Sequence, residues 1–253
     1  MEVALIAPVP LLDTTECQKY HMVLPAVVGN WEYAEFYKRL GLKEGYYVIL
    51  DNGAWEGASL SSTELMNMAY RFHVQEVVVP DIINGQPEDT LTMMRTFFNS
   101  AAVSGTYYGD WPRPAYAAVV HGSSITEAKD FVDIVASEFP QITVFSLAKK
   151  LPRFCNHWNA RGRIAEHIRH TYGDRFQIHL LGYNEHIPGE LDIPARSIDM
   201  TTPYTCSFKD KELGVLDEIH VPRPGNYFSL GQDAFNMKKL LYNIELVVGK
   251  ADR

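Results

Sequence analysis

Long hydrophobic runs are absent from this 253-residue sequence. The longest, at 3–12 and 76–83, are interrupted by proline and fall short of the about 20 residues that a membrane-spanning helix needs. The N-terminus carries no basic region ahead of its first apolar stretch, which argues against a secretory signal. We therefore expect a cytoplasmic protein that does not bind membranes.

Cysteine is scarce, with three residues far apart in the chain: Cys17, Cys155 and Cys206. No C-x-x-C pair occurs, which argues against a disulfide framework and a cysteine-rich zinc site. We expect reduced thiols, no metal and no cofactor.

Linkers, low-complexity tracts and fixed-period repeats are also missing from the sequence. Since 46% of the residues are apolar, the chain is interpreted as a single domain over 1–253.

Positive charge is scarce as well, because 31 acids outnumber 23 Lys and Arg and give a net charge of −8. The field of the whole molecule should therefore repel nucleic acid. Residues 149–175, the basic segment, run against this trend with seven Lys or Arg and two acids, a local charge of +5. Such a segment is equally typical of a phosphate-binding surface and of a solvated helix face.

Short apolar runs rich in β-branched residues recur along the chain. They are nearly continuous rather than alternating, as in parallel strands covered on both faces. Eight such runs lie at 3–7, 21–28, 46–50, 76–80, 116–120, 142–147, 176–181 and 195–199. Helical spacing and start signals lie at 30–41, 61–72, 86–101, 123–139, 156–173 and 232–248. This pattern predicts a (β/α)8 barrel, in which catalytic residues follow the strands.

Four of the strand-like runs end in an ionisable side chain: Asp51, Asp81, His121 and Asp199. Each alone is more typical of a turn or helix cap. Four at one rim of a barrel would repel and perturb one another, an arrangement usually kept for function. Paired carboxylates suit displacement at a sugar carbon, and a metal hydrolase is the competing interpretation.

Several short motifs resemble, in chain order, those of the tRNA-guanine transglycosylase superfamily. They are LDNGAWEG at 50–57, VVVPDI at 77–82, AAVVHGS at 117–123, HLLGYNE at 179–185 and IDMTTP at 198–203. The resemblance implies that Asp199 is the nucleophile and Asp51 the proton shuttle. It further implies contacts to a guanine-like base from Asn52, Asp81, His121, Gly122, Ala148, Leu181 and Gly182.

The sequence also departs from the tRNA enzymes. Only Cys206 follows Asp199, so the zinc-binding subdomain that grips tRNA is not expected. His121 stands where the family has glutamine. These departures make the chain look closer to the deazapurine DNA modification family.

That resemblance implies replacement of guanine in DNA by a 7-deazaguanine through a covalent aspartyl-glycosyl intermediate. DNA would be the partner, with tRNA the alternative, and Trp55 or Tyr183 would stack on the base. Phosphate contacts are expected from the basic segment, at Lys149, Lys150, Arg153, Arg161 and Arg163. Alternatives left open are a tRNA enzyme that needs a partner subunit, a non-catalytic barrel that binds the base or a nucleic acid, and a homodimer.

Overall fold

The computed structural model of the chain describes residues 1–104, 112–184, 189–213 and 221–251. Eight parallel strands close into a barrel in chain order, and β8 pairs with β1. The strands are β1 (Glu2–Leu5), β2 (Tyr20–Val23), β3 (Tyr47–Leu50), β4 (Glu76–Val78), β5 (Ala115–Val119), β6 (Ile142–Ala148), β7 (Gln177–Leu181) and β8 (Ser197–Met200). The predicted single-domain (β/α)8 barrel is confirmed.

Helices follow most strands at the predicted places. They are α1 (Trp31–Gly41), α2 (Ser62–Arg71), α3 (Pro87–Asn99), α4 (Ala101–Ser104), α5 (Ile125–Glu138), α6 (Leu151–Phe154), α7 (Ala160–Tyr172), α8 (Thr202–Phe208) and α9 (Met237–Ala251). Side-chain caps explain several starting points. At α2 the Ser61 hydroxyl accepts the Glu64 N–H at 3.2 Å, and the Glu64 carboxylate accepts the Ser61 N–H at 2.9 Å.

Two crossovers depart from the regular pattern. A 3₁₀ turn at Val9–Thr15 replaces an α-helix between β1 and β2, and the described residues between β7 and β8 contain only a 3₁₀ turn at Glu190–Asp192. The predicted last helix starts at Met237 rather than 232, and α8, which the sequence did not predict, packs against it. These two helices complete the outer ring beside β1.

The core follows from the composition of the strands. In β3, Val48, Ile49 and Leu50 are fully buried, as expected for strands covered by helices on one side and filled by side chains on the other. Among the residues that the structure describes, no helix has both the length and the apolar character needed to cross a membrane.

Candidate active site at the carboxyl end of the barrel

The four polar residues that the sequence placed at strand ends line one cavity. Asp51 comes directly after β3, Asp81 and His121 lie in the loops after β4 and β5, and Asp199 lies within β8. The cavity has a volume of about 670 Å³, within the range of small-molecule sites. The structure thus brings together the residues that the barrel pattern predicted to converge.

Asp51 is buried at this cavity. Its Oδ2 accepts the Gly53 N–H at 3.0 Å across a tight turn. Gly53 has φ +74°, and a Cβ there would lie 2.8 Å from the Ala58 Cβ, so the turn requires glycine. The pKa of Asp51 is raised to about 7, and burial is the largest cause. The charges of Glu56, Asp199 and Asp81 also raise this pKa, whereas the hydrogen bond from the Gly53 N–H lowers it.

Asp81 lies in a hydrogen-bonded cluster. Its Oδ1 accepts from Asn52 Nδ2 at 2.7 Å, and its Oδ2 lies 2.9 Å from His121 Nε2. Asn52 Nδ2 also donates to the Val79 carbonyl at 2.9 Å. Since an ionised carboxylate only accepts, Nε2 of His121 carries a proton. Asn52, Asp81 and His121 therefore form a fixed polar wall of the cavity.

Asp199 is held from two sides. Its Oδ1 accepts the Gly182 N–H at 2.8 Å and lies 3.2 Å from His179 Nε2. Gly182 directly follows β7, has φ +74°, and points its N–H at the carboxylate. Of the other predicted contacts, Ala148, Leu181 and Gly182 line the cavity.

Gly122 does not line the cavity and has a packing role instead. A Cβ on it would lie 2.5 Å from the Ala128 backbone nitrogen of α5. The loop after β5 therefore needs glycine to pack against that helix, and the predicted contact of Gly122 with a ligand is not supported by its position.

Cations and tryptophans surround the mouth of the cavity. Lys149 directly follows β6, and Lys150 Nζ lies 4.2 Å from the centroid of a Trp55 ring. Arg153 and Trp158 also line the mouth. Trp55 is exposed and could stack on a ligand, whereas Tyr183 is buried.

The basic segment does not form one surface. Arg163 is exposed on α7, but Arg161 is fully buried, pairs with Glu190 and donates to the Gly182 carbonyl at 2.9 Å. The prediction that Arg161 contacts phosphate is therefore wrong. Its position at the start of α7 turns it towards the barrel, where it supports the loop that holds Asp199.

Sequence reasoning missed three residues of this site. Glu56 and Arg223 form an ion pair of 3.2 Å at the cavity, and His179 contacts Asp199. Glu56 lies within the motif that contains Asp51, and His179 is a lone polar residue in an apolar strand, so both left a signal. Arg223 is distant in sequence from the other residues of the site, and no sequence pattern indicated that it belongs there. Among the described residues, no group of three or more His, Cys, Asp or Glu has the arrangement of a metal site.

Buried carboxylates at the carboxyl end of a closed β/α barrel define an enzyme-like site. No protein-family model matches the chain, and no curated protein matches it. Several solved structures match the chain in fold. N-acetylneuraminate lyase of Proteus mirabilis is 13% identical, with 82% of this chain and 72% of that chain covered and a TM-score of 0.47.

Two further similar structures carry dihydrodipicolinate synthase names. A family protein from Coccidioides immitis is 11% identical, with 82% of this chain and 68% of that chain covered and a TM-score of 0.50. A monomeric dihydrodipicolinate synthase variant is 12% identical, with 97% of this chain and 78% of that chain covered and a TM-score of 0.50. At such identities the similarity establishes the barrel fold.

These comparisons contradict the resemblance to the transglycosylase superfamily. No transglycosylase model matches the chain, and the similar structures with a TM-score of 0.50 are named as dihydrodipicolinate synthases. The guanine exchange in DNA, its tRNA and binding-barrel alternatives, the pentosyltransferase class and the 7-deazaguanine substrate are therefore wrong. The physical reason is that Asp after a strand and Gly in the next turn recur wherever a barrel builds a site at its carboxyl end. Motifs of five to eight residues therefore matched in chain order without a shared reaction.

Proposed function

We propose that the protein is an enzyme that transfers protons to and from a small anionic carbonyl compound bound in the barrel mouth. The observation that carries the proposal is Asp51, buried at the cavity with a pKa of about 7. A group with that pKa is present in both protonation states near neutral pH and can act as acid or base. Support comes from this chain's own residues, because similarity at 11–12% identity shows the fold alone.

The substrate class follows from the cavity walls. The Asn52–Asp81–His121 cluster offers fixed polar groups that can orient a carbonyl oxygen. Lys149, Lys150 and Arg153 at the mouth favour an anionic group such as a carboxylate. Asp199 is the second carboxylate of the site, and with Oδ1 fixed by two donors its Oδ2 can accept a hydrogen bond from the substrate.

A second candidate is covalent catalysis by Lys149, favoured by its place directly after β6 and in the cavity wall. The Lys149 amine nitrogen would attack the carbonyl carbon, and protonated Asp51 would give its proton to the oxygen. A second proton passes from the amine nitrogen to this oxygen, which leaves as water as the C=N bond forms, and the ionised Asp51 can then take a proton from the neighbouring carbon.

Pyruvate in D₂O is the probe for both candidates. Exchange of its methyl protons, followed by ¹H NMR, reports proton transfer next to the carbonyl. We expect exchange with the wild type, its loss in Asp51→Asn, and full exchange in Asp130→Asn, which changes an exposed Asp of α5. Exchange no faster than in Asp51→Asn would contradict the proposal.

Borohydride separates the two candidates. With pyruvate present it would reduce a Lys149 Schiff base to a stable adduct, detected as a mass increase that Lys149→Arg abolishes. Exchange without an adduct assigns the reaction to Asp51 alone.

Partners and location also enter as proposals. Arg153 and Arg163, which are exposed and belong to the same segment of the sequence as Lys150, support a phosphate-bearing partner such as nucleic acid. Fluorescence anisotropy with DNA and with tRNA at two salt concentrations tests for binding of nucleic acid. Sedimentation tests whether the protein forms a homodimer. The wide separation of Cys17, Cys155 and Cys206 along the sequence supports a cytoplasmic location.

A further inference from the structure

A chain of polar side chains runs through the interior of the barrel below Asp199. It begins at Glu76 on β4, whose Oε2 accepts from Arg196 Nη1 at 2.8 Å and from the Tyr47 hydroxyl at 2.9 Å. The Arg196 guanidinium also lies 4.9 Å from the centroid of the Tyr47 ring. Arg196 is therefore fixed at the amino end of β8 by an ion pair and an aromatic ring.

The chain continues from Arg196 to the candidate active site. Arg196 Nε donates to Ser197 Oγ at 3.2 Å, and Ser197 Oγ lies 2.8 Å from His179 Nδ1. On the far side of the imidazole, His179 Nε2 lies 3.2 Å from Asp199 Oδ1. Ser197 and His179 are fully buried and face each other in the β7–β8 register.

Hydrogen-bond chemistry fixes the direction of each contact. The Asp199 carboxylate accepts, so His179 Nε2 carries the proton, and a neutral imidazole then presents a bare Nδ1. The Ser197 hydroxyl receives the Arg196 N–H and is left to donate its own proton to Nδ1. The order Arg196, Ser197, His179, Asp199 is thus a one-directional series of donors.

We propose that His179 is the positioning residue for Asp199, with its ring orientation and tautomer set by Ser197 and Arg196. With the Gly182 N–H, it supplies the second donor to Oδ1. Two donors on one oxygen fix the rotation of the carboxylate and so the position of Oδ2. The role of Asp199 rests on the proposed function, whereas the tautomer of His179 does not.

Ser146 on β6 is the natural comparison for Ser197. Both serines are fully buried, and both lie opposite His179 in the strand register. Ser146 Oγ has no hydrogen-bond partner within the described part of the chain, whereas Ser197 Oγ contacts both Arg196 and His179. Burial inside the barrel therefore does not by itself place a serine in the chain of donors.

Nitrogen-15 NMR of the histidine-labelled full chain tests the inference without any substrate. We expect His179, assigned by the signal that His179→Gln removes, to show a protonated Nε2 and a bare Nδ1. Ser197→Ala should shift the Nδ1 resonance or mix the tautomers, and Ser146→Ala should leave both unchanged. A protonated Nδ1 in the wild type, or no response to Ser197→Ala, would overturn the inference.

Variants at His179 test the effect on Asp199. In crystal structures, His179→Leu should let the Asp199 carboxylate rotate, whereas His179→Gln should restore the wild-type rotamer, because its amide nitrogen reaches about as far as Nε2. In pyruvate exchange, kcat should fall about 10- to 100-fold in His179→Leu with little change in KM, and partly recover in His179→Gln. An unmoved Asp199 in His179→Leu would contradict positioning. Absence of wild-type exchange would count against the proposed function alone, and the NMR and rotamer results would still decide the role of His179.

Discussion

Asp51 and Glu56 lie five residues apart in the loop after β3, and the charge of Glu56 raises the pKa of Asp51. Burial is the larger cause, and together they bring this pKa to about 7. Glu56 is itself held at the cavity by the 3.2 Å ion pair with Arg223. One short loop thus supplies both the proton-transferring group and a neighbour that tunes it.

Removal of the charge on Glu56 should lower the pKa of Asp51. In Glu56→Gln we expect the pKa of Asp51 to fall below about 7 but to stay above 3.8, because burial, the larger cause, remains. Carbon-13 NMR of the Asp51 carboxyl measures it. Glu35→Gln, at an exposed site on α1, is the matched control and should leave it unchanged. An unchanged Asp51 titration in Glu56→Gln would refute the coupling.

The raised pKa of Asp51 makes the stability of the fold depend on pH. The folded protein keeps this proton up to about pH 7, whereas the unfolded chain loses it near 3.8. The free energy of unfolding should therefore decrease as pH rises from about 4 to about 7, by on the order of 4 kcal/mol from this group. Urea unfolding of the wild type and Asp51→Asn across this range should show a flatter dependence in the variant. Asp130→Asn should follow the wild type, and parallel curves for Asp51→Asn would count against the prediction.

The polar wall around Asp81 should depend on Asn52. Asn52→Ala leaves the Val79 carbonyl and one Asp81 oxygen without the donor that they share. We expect a loss of about 1–3 kcal/mol in the free energy of unfolding, because these groups lose a hydrogen bond in a buried setting. Urea unfolding measures it, with Asn226→Ala in an exposed turn as the control. Equal stability of both variants would show that the wall does not need Asn52.

Gly122 should be required for packing rather than for binding. Gly122→Ala places a Cβ 2.5 Å from the backbone of α5, which must move, so we expect a loss of about 1–3 kcal/mol. Gly249→Ala in α9, where a Cβ meets nothing within 4 Å, should be neutral or stabilising by up to about 1 kcal/mol. Thermal unfolding compares them. A Gly122→Ala protein as stable as the wild type would show that the loop gives way freely.

The sequence predicted the barrel well because its strands are buried on both faces and its helices carry clear start signals such as Ser61 and Asn30. It also placed Asp51 and Asp199 at one rim, since the carboxyl ends of parallel strands meet there. It could not show that Arg161 is buried, because a count of basic residues says nothing about which face of α7 they occupy.

The interpretation of a family failed for a different reason. Short motifs around Asp51 and Asp199 reflect what a barrel rim requires, and they carried no separate information about the reaction. The series of donors behind Asp199 depends on three-dimensional contacts across β4, β7 and β8. No sequence spacing encodes them.

The most direct test of the account is the titration of Asp51 itself, followed by carbon-13 NMR of its carboxyl group in the intact protein and assigned with Asp51→Asn. The account predicts a midpoint near pH 7, at which the group exchanges protons under neutral conditions. A midpoint near 4, the ordinary value for an aspartate, would contradict it, because Asp51 would then be ionised throughout the neutral range and could not act as the acid.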